Sequence, residues 1–370
     1  MMKKRSFFGR SVRFAALLLA PAMILAAADT GYHVIKRIPI PGDSGWGYIT
    51  ADTAARRLYV PHGTEVVVLD LDSGKIIGKI ADLKGVHGVA LAHEFGHGFI
   101  SATDPDSVIM FDLKTLKVLN KERVGDDPNG IIYDPVTKRI FSADRGSQRL
   151  TAIDAKRGKV AGAVENLGGR TEHLASDEAG HVFLNMQDVG KLHKIDAKTL
   201  QVLETWTIAP ACSQPSSMDI DPAHNRVFIG CRGGGPSQPP APTVLAVVDA
   251  SNGKVVATQP IGAAVDALEF DAKTGLIYVS TGGGDGALSI FREDGPDQYS
   301  LVQAVKTLPG ARTMALDTKR EECTCQSRMW APLQNRRPKI PLPGGARFPE
   351  HFPSWSSANS KSRGVTQESE

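Results

Sequence analysis

Four side chains of the kinds that hold zinc or copper, His87, Glu172, His173 and Asp266, lie near the starts of three repeats in this chain. Imidazole and carboxylate donors could carry a metal or a metal-activated water. Their spacing follows the repeat, and no His-x-x-His motif accompanies them, so no metal and no cofactor is expected. His93-Glu94-Phe95-Gly96-His97 is one residue short of a zincin motif. It falls at a strand-to-strand turn, where two histidines need not converge. Arg145, Arg170, Arg232 and Arg312 form a second set, suited to phosphate or carboxylate. Signals of covalent catalysis are missing: there is no Gly-x-Ser-x-Gly elbow, no phosphate loop opening a helix and no Cys-x-x-Cys-His.

The elements that must position these groups are short strands. Leu58-Tyr59-Val60 is followed by a turn, Pro61 to Thr64, then by Val66 to Asp70, the turn Asp72-Ser73-Gly74-Lys75 and Ile76 to Ile80. Such runs, broken by Gly, Asp and Ser, read as antiparallel strands. The pattern returns every 42 residues or so, about the length of a propeller blade. Six complete repeats begin near Trp46, Val86, Pro128, Arg170, Pro215 and Val265, and a seventh opens at Ala311. Asp134-Pro135, Asp221-Pro222 and Asp271-Ala272 end first strands, and these aspartates serve turns rather than catalysis. Tyr32 to Ile40 alternates as a strand and precedes the first repeat, so it is expected to close the ring as the outer strand of the last blade.

Tyr278-Val279-Ser280-Thr281 and Leu58-Tyr59-Val60-Pro61, with the Asp and Ser-x-Gly-Lys turn that follows, resemble the YVTN repeat of YncE-like exported bacterial proteins. The resemblance covers about Tyr32 to Asp317. It implies an all-β, seven-bladed β-propeller of four-stranded antiparallel blades. It implies no activity, because most of that family has no assigned chemistry. One relative type binds single-stranded DNA, and more distant propellers are lactonases or house electron-transfer cofactors. No Gly-His and Trp-Asp pairs recur, so the pattern is not that of WD40 repeats.

Lys3, Lys4, Arg5, Arg10 and Arg13 precede the apolar run Phe14 to Leu25 and then Ala26-Ala27-Ala28, the order of a cleaved signal peptide over 1–28. The apolar run is too short to span a bilayer, so the mature chain is expected to be periplasmic or secreted, without a transmembrane anchor and monomeric. In that oxidising setting Cys212, before a first strand, and Cys231, ending a second strand, are expected to form a disulfide. With 370 residues, 22% charged and a net charge of +3, the composition demands no acidic partner. The propeller is assigned to 29–317. Residues 318–370, rich in Pro, Arg and Ser, break the pattern and read as an irregular, disordered tail produced by a shifted reading frame. Regrouping the codons of Glu321 to Met329 one base earlier permits Val-Tyr-Leu-Pro-Val-Ala-Asp-Val-Gly, a strand of the repeat. On that reading Cys323 and Cys325 are artefacts of the frame.

Loops at one end of the ring carry Trp46, His87, Asn129, Arg145, Arg170, Glu172, His173, Asp266 and Arg312, which makes the channel mouth the expected binding site. The leading functional expectation is an exported binding protein for a small ligand or a protein partner. A lactonase-like hydrolase built on His87, Glu172, His173 and Asp266, and single-stranded DNA binding by the arginines, are the alternatives.

Overall fold

A computed structural model describes residues 31–42, 45, 47–234, 241–295 and 297–327 of the chain. Residues 1–28, read from the sequence as a signal peptide, Trp46, the centre of the insertion after Arg232 and everything beyond 327 lie outside the described residues. The fold is a β-propeller: six four-stranded antiparallel sheets and a final two-stranded sheet follow one another along the chain. The first strands are Thr50–Asp52, Val86–Ala92, Pro128–Asp134, Thr171–Ser176, Pro215–Asp221, Val265–Asp271 and Thr313–Asp317. They touch in a closed cycle, each the next and the last the first, so they line the centre of the ring.

Each blade buries both faces of its second strand, because a neighbouring blade covers each side. The third residue of the second strand is aromatic in all six complete blades: Tyr59, Phe99, Phe141, Phe183, Phe228 and Tyr278, each among the largest fully buried side chains. Fourth strands face solvent, and Ile76, Val118, Leu119, Val202 and Leu203 there remain exposed. The aspartates that end first strands cap turns as expected. Asp134 accepts the Thr137 N–H at 2.8 Å, Asp221 that of Ala223 at 3.0 Å and Asp271 that of Lys273 at 3.0 Å.

Blade seven departs from the sequence expectation in two ways. Residues after Asp317 are not irregular from the outset, since Glu322–Gln326 forms a strand paired with Thr313–Asp317. Among the described residues Tyr32 to Ile40 joins no ladder. It contacts the blades on either side. The Tyr32 carbonyl accepts a bond from Gln303 at 2.8 Å and its hydroxyl meets that of Tyr278 at 2.7 Å, both in blade six. Farther on, Lys36 reaches the Ser73 carbonyl of blade one.

The buried aromatic wedge should dominate stability. Phe141→Ala is expected to lower the unfolding free energy by about 3–5 kcal/mol, measured by urea titration, whereas Leu203→Ala on an outer strand should change it by less than about 0.5 kcal/mol. Equal losses in the two variants would contradict the wedge.

Candidate functional site

The mouth is built by one repeated position. Val86, Pro128, Thr171, Pro215 and Val265 each pair with the last residue of the second strand of their blade. Immediately afterwards the register slips in all five blades. A β-bulge of this kind re-aims a side chain, and the residues at the slip are His87, Asn129, Glu172, Ser216 and Asp266. Arg312 stands at the same place in blade seven, directly before Thr313–Asp317. The repeat register therefore gives His87, Asn129, Glu172, Asp266 and Arg312 equivalent places in their blades; His173 follows Glu172, Arg145 and Arg170 lie outside the bulges, and Trp46 is not described.

Blade one contributes Tyr48. Its N–H donates to the His87 carbonyl at 2.6 Å, and its ring lies 5.2 Å from that of His87 and 4.8 Å from that of His173. The tyrosine thus reaches across from blade one to blade four. Gly88 and Gly130 follow the bulge in blades two and three and let first strands approach closely; a Cβ on Gly130 would meet the Glu172 carbonyl at 2.7 Å. Sequence reasoning missed Tyr48.

An ion-pair chain crosses the rest of the mouth. Arg145 binds Asp127 at 2.6 Å and lies 4.0 Å from Glu172. Arg232 lies 3.7 Å from Glu172 and pairs with Asp266, which also meets Arg312 at 2.8 Å and accepts from Ser216 at 3.2 Å. Arg170 is exposed at the rim, where its backbone N–H donates to Asp188 at 2.7 Å. The Cys212–Cys231 disulfide is formed, with Cα atoms 5.3 Å apart, and it anchors the strand end from which Arg232 projects.

Burial sets the protonation of this cluster. It pushes His87 and His173 down to about 4, so both imidazoles are neutral at pH 7. It pushes Glu172 up, against the pull of Arg232, and pushes Tyr48 up together with the charge of Glu172. Several buried polar atoms have no hydrogen-bond partner among the described residues: His87 Nδ1, His173 Nδ1, Glu172 Oε2 and both amide atoms of Asn129.

The four nominated ligand types do not converge as a metal set. Among the described residues, three ligand atoms lie within 4.8 Å of one another at Asp221, His224 and Glu293. That group sits at the other end of the blade-five first strand, where the His224 ring nitrogen is 2.6 Å from Asp221 and 3.4 Å from Glu293. His93 and His97 also diverge, toward Asp52 at 3.3 Å and the Ala155 carbonyl at 3.0 Å. A second feature unforeseen from sequence is a pair of acids inside neighbouring first strands. Asp219 accepts the Phe270 N–H at 2.7 Å and Glu269 that of Leu316 at 3.1 Å, each bond crossing to the next blade.

These features define the class as a β-propeller with a polar, bulge-built mouth. Solved structures agree on the fold. Hydrazine synthase of Kuenenia stuttgartiensis is similar at 17% identity over 81% of this chain and 98% of that one, with a TM-score of 0.67. A chain of the mitotic checkpoint complex is similar at 14% over 86% and 96%, with a TM-score of 0.64, and U3-55K at 9% over 78% and 90%, also 0.64. No family profile and no curated relative matches the sequence.

The buried acids give a pH signature. Burial, then the nearby charge of Asp219, pushes Glu269 up to about 8 from an ordinary 4.5. Between these values the folded chain holds a proton that the unfolded chain has released, so stability falls as pH rises from 4.5 to 8. Glu269→Gln should remove that loss. Urea midpoints are expected to show a variant advantage that grows from pH 5 to pH 8; an advantage independent of pH would exclude a buried, protonated Glu269.

Proposed function

We propose that this chain is a binding protein that takes an uncharged polar ligand, or a polar group of a protein partner, at the mouth around Tyr48. The observation that carries the reading is the set of unpartnered polar atoms on His87, Asn129, Glu172 and His173. A buried polar group left unpaired costs about 1–3 kcal/mol, so a ligand that pairs with several of them gains affinity directly. Tyr48 stands beside them, its ring against those of His87 and His173.

Charge favours an uncharged ligand. Arg145, Arg232 and Arg312 face Asp127, Glu172 and Asp266, so the guanidiniums already answer carboxylates of the chain itself. A phosphate backbone would have to displace those pairs, which weakens the case for single-stranded DNA. The hydrolase alternative loses support because His87, Glu172, His173 and Asp266 are not a convergent set. Membership of the exported YVTN group stays part of the proposal, supported by the repeat motif and by a disulfide of the kind that persists in oxidising compartments.

Calorimetric titration with glucose, N-acetylglucosamine, inorganic phosphate and a single-stranded DNA oligomer tests this. A neutral sugar is expected to bind with an affinity insensitive to salt, weakened about tenfold, or 1.4 kcal/mol, by Asn129→Ala. DNA binding that falls steeply with salt, sugar binding untouched by Asn129→Ala, or silence from every probe would each overturn the reading.

A further inference from the structure

At the end of the ring opposite the mouth, the chain departs from its own repeat at two places, and the two departures meet. Third strands in blades one to five are six residues long and end in an aspartate that caps the following turn: Asp70, Asp112, Asp154, Asp196 and Asp249. In blade six Arg292 takes that place, opposite Leu276 as Asp249 stands opposite Arg226. The strand there runs on to nine residues, Ala287–Gly295, and the added length carries Glu293 over the neighbouring turn of blade five. The second departure lies in that turn. Asp134 and Asp271 end first strands and receive the hydroxyl of a threonine three residues on, Thr137 or Thr274. After Asp221 the same place holds His224.

The three side chains converge. His224 Nδ1 is 2.6 Å from Asp221 Oδ2 and 3.4 Å from Glu293 Oε2, and the three ligand atoms all lie within 4.8 Å of one another. Both carboxylates are more than nine-tenths buried, with side chains 3% and 9% exposed, whereas the imidazole is 63% exposed. One Nδ1 proton answers one acid, and Asp221 takes it. Glu293 Oε2 is left facing a nitrogen already engaged. The second oxygen of each acid is tied back: the Ala223 N–H donates to Asp221 Oδ1 at 3.0 Å and the Tyr299 hydroxyl to Glu293 Oε1 at 3.4 Å. Outer bonds of this kind hold a metal ligand in orientation. The hairpin that bears Glu293 is itself fastened to blade five. Arg226 pairs with Asp297 at 2.8 Å, Gln259 donates to the Tyr299 carbonyl at 2.7 Å, and the Tyr299 ring meets that of Phe228 at 5.9 Å.

We propose that Asp221, His224 and Glu293 bind a zinc ion, each through the atom that faces the other two, with the fourth position open to solvent beside the exposed imidazole. Donors on tetrahedral zinc stand about 3.3 Å apart. The His224–Glu293 pair already has that separation, and the His224–Asp221 pair has to open by about 0.7 Å to pass from a hydrogen bond to a shared metal. Zinc takes the place of the Nδ1 proton, which leaves to solvent. An imidazole beside two carboxylates favours zinc over calcium or magnesium, which take oxygen ligands. The ion links the blade-five turn to the blade-six hairpin.

Calorimetric titration of the tag-free, metal-stripped chain with zinc chloride tests the site. One zinc per chain is expected, with a thermal midpoint raised by the ion. Losing an outer partner of a bound metal weakens binding roughly 10–100-fold, so His224→Ala and Glu293→Gln, which remove ligands, should each weaken it at least a hundredfold. His181→Ala, at an imidazole paired with Asp177 at 2.6 Å, should leave binding unchanged. X-ray absorption at the zinc edge should show nitrogen and oxygen neighbours and no sulfur. Absence of zinc binding, binding that survives either ligand substitution, an equal loss in His181→Ala, or sulfur ligation by the free thiols of Cys323 and Cys325 would each overturn the proposal.

Discussion

Everything in this molecule depends on blades burying their faces against each other. The buried core divides into seven clusters, and each draws on two adjacent blades, from Tyr59 with Ile100 and Phe111 between blades one and two to Ala267 with Met314 between six and seven. No blade has a private core. A four-stranded sheet alone would leave both faces wet, so its stability is borrowed from its neighbours, as in any array of repeats. In a ring this coupling closes on itself: at the seam between blades seven and one, among the described residues, Ala315 clusters with Ile49, Leu58 and Val60.

That division of labour explains where the chain is free to vary. Second and third strands must stay apolar to fill the seams, and fourth strands need only pair. The bulged position of each first strand has neither duty, since its side chain points to the channel mouth. It holds His87, Asn129, Glu172, Ser216, Asp266 and Arg312 in successive blades, a series with no repeat of its own. Identical scaffolding thus presents non-identical groups at one level. Tyr48 is the exception, a large side chain two residues before the short first strand of blade one, with its ring against those of His87 and His173.

The blade count, the strand boundaries and the capping aspartates were legible because each is repeated, and a repeated local signal survives the weak propensity of any single strand. The mouth residues were legible for the same reason: their place in the repeat fixes their place in space. What could not be read was how they pair. Arg232 meets Asp266 and Glu172 across two blades, a matter of side-chain reach that spacing does not encode. Tyr48 escaped because blade one's first strand, Thr50–Asp52, is too short to carry the pattern. Asp219 and Glu269 escaped because acids inside apolar strands look like solvent-facing positions, whereas each here satisfies a backbone N–H of the next blade.

The two ends of this reasoning meet at Arg312. Its carbonyl accepts the Ser280 hydroxyl at 2.6 Å, and its guanidinium ends the ion-pair chain that starts at Asp127 in blade three. A group at the mouth is therefore carried by the residue directly before the first strand of blade seven. Through Asp266 and Arg232 that chain reaches Glu172, so blades four to seven share one set of ion pairs at the mouth.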